Sequence, residues 1–220
     1  MPTHRKGMFM NSTSDSWKHI IMRAVIVTGM GIVLGAALYQ FAVFTPSMKA
    51  FQFSMSSLSI GIMYAALKSR RLRDGLAALL VWYVILTGLM EEFNSWLLFL
   101  NLAYIGGMAG AVVLHQRAVR SPFVHGAVLR IVLAGATVGV VNGVVVIVLA
   151  VLIWNSALAH ISSIMAAVYF NLQIGSLIGL ATGSGMELAE YLIGKFPDRP
   201  GEVLPEPTAR VSPAADTGTT

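Results

Sequence analysis

The sequence predicts an all-α protein, a polytopic membrane helix bundle with about six transmembrane helices and both termini in the cytoplasm. The first observation is composition, because 56% of the 220 residues are hydrophobic and only 11% are charged. In soluble domains about a quarter of the residues are charged. The second is spacing, since the charges cluster between apolar runs of about 20 residues, long enough to cross a bilayer. The third is the distribution of Lys and Arg between the two ends of those runs.

Six apolar runs are predicted to span the membrane, at residues 24–44, 50–67, 75–91, 95–114, 129–154 and 160–186. The first is too long for the hydrophobic core of a signal peptide, so we expect it to be retained as a span. The second is the weakest, because it is short and carries four serines between residues 54 and 59. Only residues 91–94 separate the third run from the fourth, which predicts a tight helical hairpin.

The basic residues set the orientation. With the N-terminus in the cytoplasm, 14 of the 15 Lys and Arg residues fall in cytoplasmic segments and only Lys49 falls outside. This is the asymmetry of the positive-inside rule, and it predicts a multi-pass protein of the plasma (inner) membrane. We divide the chain into a cytoplasmic segment at 1–23, a six-helix transmembrane domain at 24–196 and a disordered cytoplasmic tail at 197–220. The tail is rich in proline and small polar residues, which cannot bury enough apolar surface to fold.

Two glycine ridges are predicted to hold spans five and six together. Residues four apart lie on one ridge of a helix, and small residues there let two backbones approach closely. Shorter pairs occur at Gly31 and Gly35 in span one and at Gly106 and Gly110 in span four. The two main ridges are Gly135, Gly139 and Gly143 in span five and Gly175, Gly179 and Gly183 in span six. A row with this spacing drifts by about 40° per step, so the ridge on span six suits a crossing contact or different neighbours at its two ends.

A cluster of amides lies beside these ridges. Asn142, Asn171 and Gln173 fall near the middle of spans five and six, and Asn101 is expected nearby. Because the two spans are antiparallel, we expect the amides at similar depth, with hydrogen bonds between the helices. One interpretation is an interhelical contact worth about 1 kcal/mol, which the sequence favours. The other is a polar pocket for a small ligand.

The two membrane faces carry the ionisable residues. Glu91, Glu92 and His160 form an extracytoplasmic polar patch, and such residues suggest metal-assisted hydrolysis. The patch lacks the accompanying motifs of CAAX-type and rhomboid-type intramembrane proteases. Glu187 and Glu190 are expected where span six leaves the membrane as an amphipathic end. The sequence predicts no catalytic residue, no metal and no cofactor, and the absence of cysteine excludes thiolate chemistry.

Three functions remain open from the sequence. The favoured one is a non-enzymatic solute-binding or transport-related membrane subunit acting on a small uncharged solute. The first alternative is a structural or assembly subunit that docks through glycine-rich helix faces. The second is a membrane-embedded hydrolase that uses the extracytoplasmic polar patch. The predicted partners are the lipid bilayer and other membrane subunits or a second copy. Nucleic acid is not expected, because no basic stripe is interleaved with aromatic residues.

Overall fold

A computed structural model describes residues 17–41, 49–89, 95–153 and 161–195. These ranges form six α-helices and contain no strand, so the predicted all-α class is confirmed. The helices are α1 (Trp17–Phe41), α2 (Lys49–Lys68), α3 (Leu72–Leu89), α4 (Ser95–Val119), α5 (Ala127–Ile153) and α6 (Ile161–Lys195).

Within the described residues, three helices are long and apolar enough to cross a membrane. The qualifying segments are Trp17–Tyr39, Ala127–Leu149 and Ile164–Lys195, in α1, α5 and α6. They coincide with the first, fifth and sixth predicted spans, and they indicate a membrane protein. The count of six spans stays a prediction.

The helices extend beyond the predicted spans. Helix α1 begins at Trp17 rather than at residue 24, and α6 continues to Lys195 rather than ending at residue 186. The predicted ranges followed hydropathy, which marks the edge of the hydrocarbon layer and not the end of a helix. The 35 residues of α6 make a helix about 52 Å long at 1.5 Å per residue. The hydrocarbon layer is about 30 Å thick, so α6 is longer than a perpendicular crossing requires.

A tight turn joins α2 to α3. Arg70 has a left-handed backbone with φ of 58°, and the amide of Arg71 donates to the Ala66 carbonyl at 2.9 Å. This bond, together with the one from the Arg70 amide to the Leu67 carbonyl, ends the helix in the Schellman pattern. The turn folds α3 back along α2, and there Gly75 lies directly against Ala66.

Helix α2 occupies the centre of the described bundle and contacts α1, α3, α4 and α6. The serines that weakened the prediction of this span face protein, since Ser56, Ser57 and Ser59 are at most 1% exposed. Among its described side chains, α2 has no exposed large hydrophobic residue. A helix enclosed by other helices needs no apolar surface for lipid, which explains how a serine-rich helix fits into an apolar bundle.

Large apolar side chains are exposed on the five other helices instead. Water would disfavour such a surface, whereas lipid tails solvate it. The arrangement is therefore that of a membrane protein, with an apolar exterior around a more polar centre. One example from each of these helices is Val33 on α1, Leu80 on α3, Leu114 on α4, Val140 on α5 and Leu172 on α6.

Candidate functional site

The closest helix pair among the described residues is α5 with α6, and the predicted glycine ridges lie between them. A methyl group built on Gly175 would lie 2.8 Å from the Asn142 Cβ and 2.9 Å from the Gly139 Cα. One built on Gly179 would collide with the carbonyl oxygen of Ala134, which is backbone and cannot rotate away. The two backbones are therefore in direct contact, as close packing of small residues allows.

The remaining ridge glycines differ in tightness. A methyl group on Gly135 would lie 2.8 Å from the Leu180 side chain, and one on Gly183 would lie 2.7 Å from the Ala134 Cβ. Gly143 is looser, with its nearest neighbour at an ordinary 3.8 Å. The close contact between the helices thus includes Gly135 and Gly139, and the helices are farther apart at Gly143.

Helix α6 uses a second face for α1. A methyl group built on Gly185 of α6 would lie 2.9 Å from the Val27 Cα. One built on Gly31 of α1 would lie 2.7 Å from the Thr182 side chain. Both glycines of the predicted pair on α1, Gly31 and Gly35, thus pack against neighbouring helices, and Gly35 contacts Phe53 of α2. The predicted pair on α4 has no such contact. Among the described residues, nothing lies within 4 Å of a methyl group built on Gly106 or Gly110.

The amide of Asn142 links the two closest helices. Its side chain is fully buried, and its Nδ2 donates to the backbone carbonyl of Asn171 at 2.7 Å. The side chain of Asn171 turns to its own helix, where Nδ2 donates to the Ala167 carbonyl at 2.8 Å. The structure thus brings these two residues together through one interhelical hydrogen bond. The Asn142 Cβ packs against Gly175, whereas its Oδ1 is buried without a hydrogen-bond partner among the described residues. The contact and the pocket interpretations therefore both stay predictions.

The other predicted site residues are placed differently. Gln173 lies on α6 with its Oε1 buried and without a hydrogen-bond partner among the described residues. The backbone of Asn101 is part of α4, but its side chain lies outside the described residues. Glu91, Glu92 and His160 also lie outside the described residues, so the extracytoplasmic polar patch stays a prediction.

An ionic cluster that the sequence did not predict lies at one end of the bundle. Arg130 at the start of α5 donates to both carboxylate oxygens of Glu187 on α6, from Nε at 2.6 Å and from Nη2 at 2.5 Å. This two-point geometry fixes both side chains, which are about 30% exposed or less. The end of α6 was expected to be an amphipathic segment at the membrane surface. Instead, the Glu187 carboxylate binds an arginine of α5.

A second carboxylate joins three helices in the same cluster. Glu190 accepts a hydrogen bond from the Arg23 Nε at 2.9 Å and another from the Tyr64 hydroxyl at 2.9 Å. The Lys68 Nζ lies 3.9 Å from its other oxygen. The Arg23 side chain is only 7% exposed, so this pair is largely removed from solvent. Helices α1, α2 and α6 are tied together here by charge as well as by packing.

The sequence did contain a signal for this cluster. Arg23 and Arg130 lie at the starts of apolar runs, and Glu187 and Glu190 lie at the end of another, all at the predicted cytoplasmic side. Charges at one depth on neighbouring helices are candidates for pairing. What the sequence lacked was the arrangement of the helices, because the pairs are separated by 57 and 167 residues.

Hydroxyl groups of two neighbouring helices contact the middle of α2. The Ser56 Oγ and the Tyr104 hydroxyl of α4 are 2.5 Å apart, and the Thr28 Oγ1 donates to the Ser57 carbonyl at 3.4 Å. The Ser57 Oγ itself is buried without a partner among the described residues, as is the Trp82 Nε1. Buried polar atoms are rarely left without a partner, and those that are suggest a water or a ligand.

The described residues contain no group of three His, Cys, Asp or Glu side chains that could hold a metal ion. Comparisons with known proteins give no further assignment. No protein-family model, no curated protein and no solved structure matches the chain.

Proposed function

We propose that this chain is a six-span, non-enzymatic protein of the plasma (inner) membrane that binds or moves a small uncharged polar solute. The observation that carries the proposal is the polar centre of the bundle. Helix α2 presents buried serine hydroxyls inside a ring of helices with apolar outer surfaces. A bundle whose helices served only to anchor the chain in the membrane would not need a polar centre.

The chemistry of the centre supports an uncharged ligand. The Arg23 and Arg130 guanidinium groups already face the Glu190 and Glu187 carboxylates, so these charges balance each other. The groups at mid-depth are neutral hydroxyls, an indole N–H and carboxamides. Neutral donors and acceptors suit a polar solute without net charge, because an ion would meet no countercharge there.

The ionic cluster supports the predicted topology. Arg23 lies in the second turn of α1, Lys68 ends α2, Arg130 lies in the first turn of α5 and Glu190 lies near the end of α6. These four positions meet at one end of the bundle only if the chain crosses an even number of times between the start of α1 and the end of α6. Six alternating spans with both termini in the cytoplasm meet that condition.

Gentle purification followed by native mass spectrometry tests the proposal. We expect the folded chain to carry a small molecule that is released on unfolding. We expect Ser57→Ala to lower its occupancy at least about fivefold by removing one buried hydroxyl. Ser184→Ala is the matched control, because the Ser184 hydroxyl donates to the Leu180 carbonyl of its own helix. A wild-type protein with no bound small molecule, or equal losses in both variants, would argue against solute binding.

The alternative function is assembly with another membrane subunit through α4. The methyl positions of Gly106 and Gly110 are open, and Leu102 and Leu114 on the same side of this helix are exposed. For this function a stable complex should be lost on Gly110→Leu. It should survive Gly29→Leu, a change at another open glycine on α1. A complex with these properties and no bound small molecule would favour assembly over solute binding.

A further inference from the structure

A groove runs between the cytoplasmic ends of α1, α2 and α3. Its volume is about 100 Å³, and its walls are apolar, formed by small and aliphatic side chains such as Ile20, Ala24, Ile62 and Ala78. The close approach of Gly75 to Ala66 draws α3 onto α2 and leaves a channel beside α1. Trp17, Arg71 and Asp74 line its polar end.

The groove opens onto the apolar outer surface of the bundle. Ile21 and Val25, next to the lining residues of α1, are exposed, and so are Leu76 and Leu80 on α3. In a membrane these four side chains contact hydrocarbon, because nothing else in the described chain covers them. A lipid acyl chain has direct access to the groove from this side.

The polar end of the groove is basic. The Arg71 guanidinium lies 4.5 Å from the centre of the Trp17 ring, which holds it at the mouth by a cation–π contact. Its Nη1 is 3.6 Å from the Asp74 Oδ2, which is longer than a hydrogen bond. A guanidinium has five N–H donors, so this ion pair leaves donors for a phosphate.

The surrounding charge favours an anion despite Asp74. Between residues 68 and 74 the chain has four basic residues and one acidic residue, and Lys18 is exposed on the neighbouring helix. Anionic headgroups are attracted to such clusters next to a membrane-spanning segment. Topology alone explains basic residues on this side of the membrane. Topology does not explain why an apolar groove ends at one of these basic residues, Arg71.

We propose that this groove binds an anionic phospholipid, with the phosphate at Arg71 and one acyl chain between α1, α2 and α3. The inference rests on the proposed membrane topology. A chain that spans the membrane with both ends inside but shows no lipid preference overturns the lipid site alone. A chain that does not span the membrane overturns both proposals.

Native mass spectrometry of the full chain in detergent, titrated with lipids of equal acyl length, tests the site. We expect phosphatidylglycerol to bind at least about fivefold more tightly than phosphatidylcholine, the effect of roughly one basic residue near a headgroup. Inorganic phosphate at the same concentration should not displace it, because phosphate alone cannot fill the groove. Displacement by inorganic phosphate would overturn the proposal.

Two pairs of variants separate the groove from diffuse attraction. Arg71→Gln should reduce the preference for phosphatidylglycerol to less than about twofold, whereas Arg73→Gln, in the same basic cluster but outside the groove, should preserve it. Ala78→Leu fills the groove and should weaken both lipids, whereas Ala77→Leu, at the adjacent exposed position, should not. Equal effects of the two arginine variants, or unchanged binding by Ala78→Leu, would contradict a lipid site in the groove.

Discussion

Gly179→Ala should lower the free energy of unfolding of this protein by about 2 to 3 kcal/mol, the upper range for overpacking a close contact. A methyl group at this position meets the carbonyl oxygen of Ala134 and lies 2.7 Å from the Gly135 Cα. Both neighbours belong to the α5 backbone, so relief requires α5 and α6 to move apart. The intrinsic preference of alanine for helices offsets only about 1 kcal/mol of this cost. Unfolding by denaturing detergent in mixed micelles measures the difference.

Gly110→Ala is the matched control for this prediction. The new methyl group on α4 meets no atom within 4 Å, so the helix preference of alanine should leave stability unchanged or raise it by up to about 1 kcal/mol. Equal stabilities of the two variants would contradict the close contact between α5 and α6.

Glu190→Gln should lower the free energy of unfolding by about 2 kcal/mol. Breaking a buried ion pair costs about 3–5 kcal/mol, and partial exposure of Glu190 reduces that figure, since its side chain is 35% exposed. The substitution keeps the shape of the side chain but removes the negative charge that faces Arg23 and Lys68. The same detergent titration provides the measurement.

Asp74→Asn is the control for the loss of one carboxylate charge. Asp74 is 54% exposed and pairs with Arg71 on a neighbouring turn, so its substitution should cost no more than about 0.5 kcal/mol. The double variant Arg23→Gln with Glu190→Gln should lose less stability than the sum of the two single changes. Strict additivity would mean that the two side chains do not interact.

The helices were predictable because hydrophobic length is a local property. Each of the six runs became a helix, and even the serine-rich second run forms α2. Its position at the centre was not predictable, because hydropathy does not tell whether a serine faces lipid or protein. Burial of Ser56 and Ser57 by the other helices answers that question.

The candidate site was predictable where it depends on spacing within one helix. Glycines four apart indicated a ridge, and in the structure Gly139 and Gly175 face each other across α5 and α6. The ionic cluster depends instead on which helices are neighbours. Arg23 and Glu190 come from opposite ends of the chain, and no local pattern pairs them.

Labelling of single cysteines with a membrane-impermeant maleimide tests the six-span topology most directly, because the natural chain contains no cysteine. Six spans with both termini inside predict that Ser47→Cys, Asn94→Cys and Asn155→Cys react in intact cells. Arg70→Cys, Ser121→Cys and Thr220→Cys should react only after the cells are permeabilised. Reaction at position 220 in intact cells, or protection of position 94 until permeabilisation, would contradict the topology and the central claim with it.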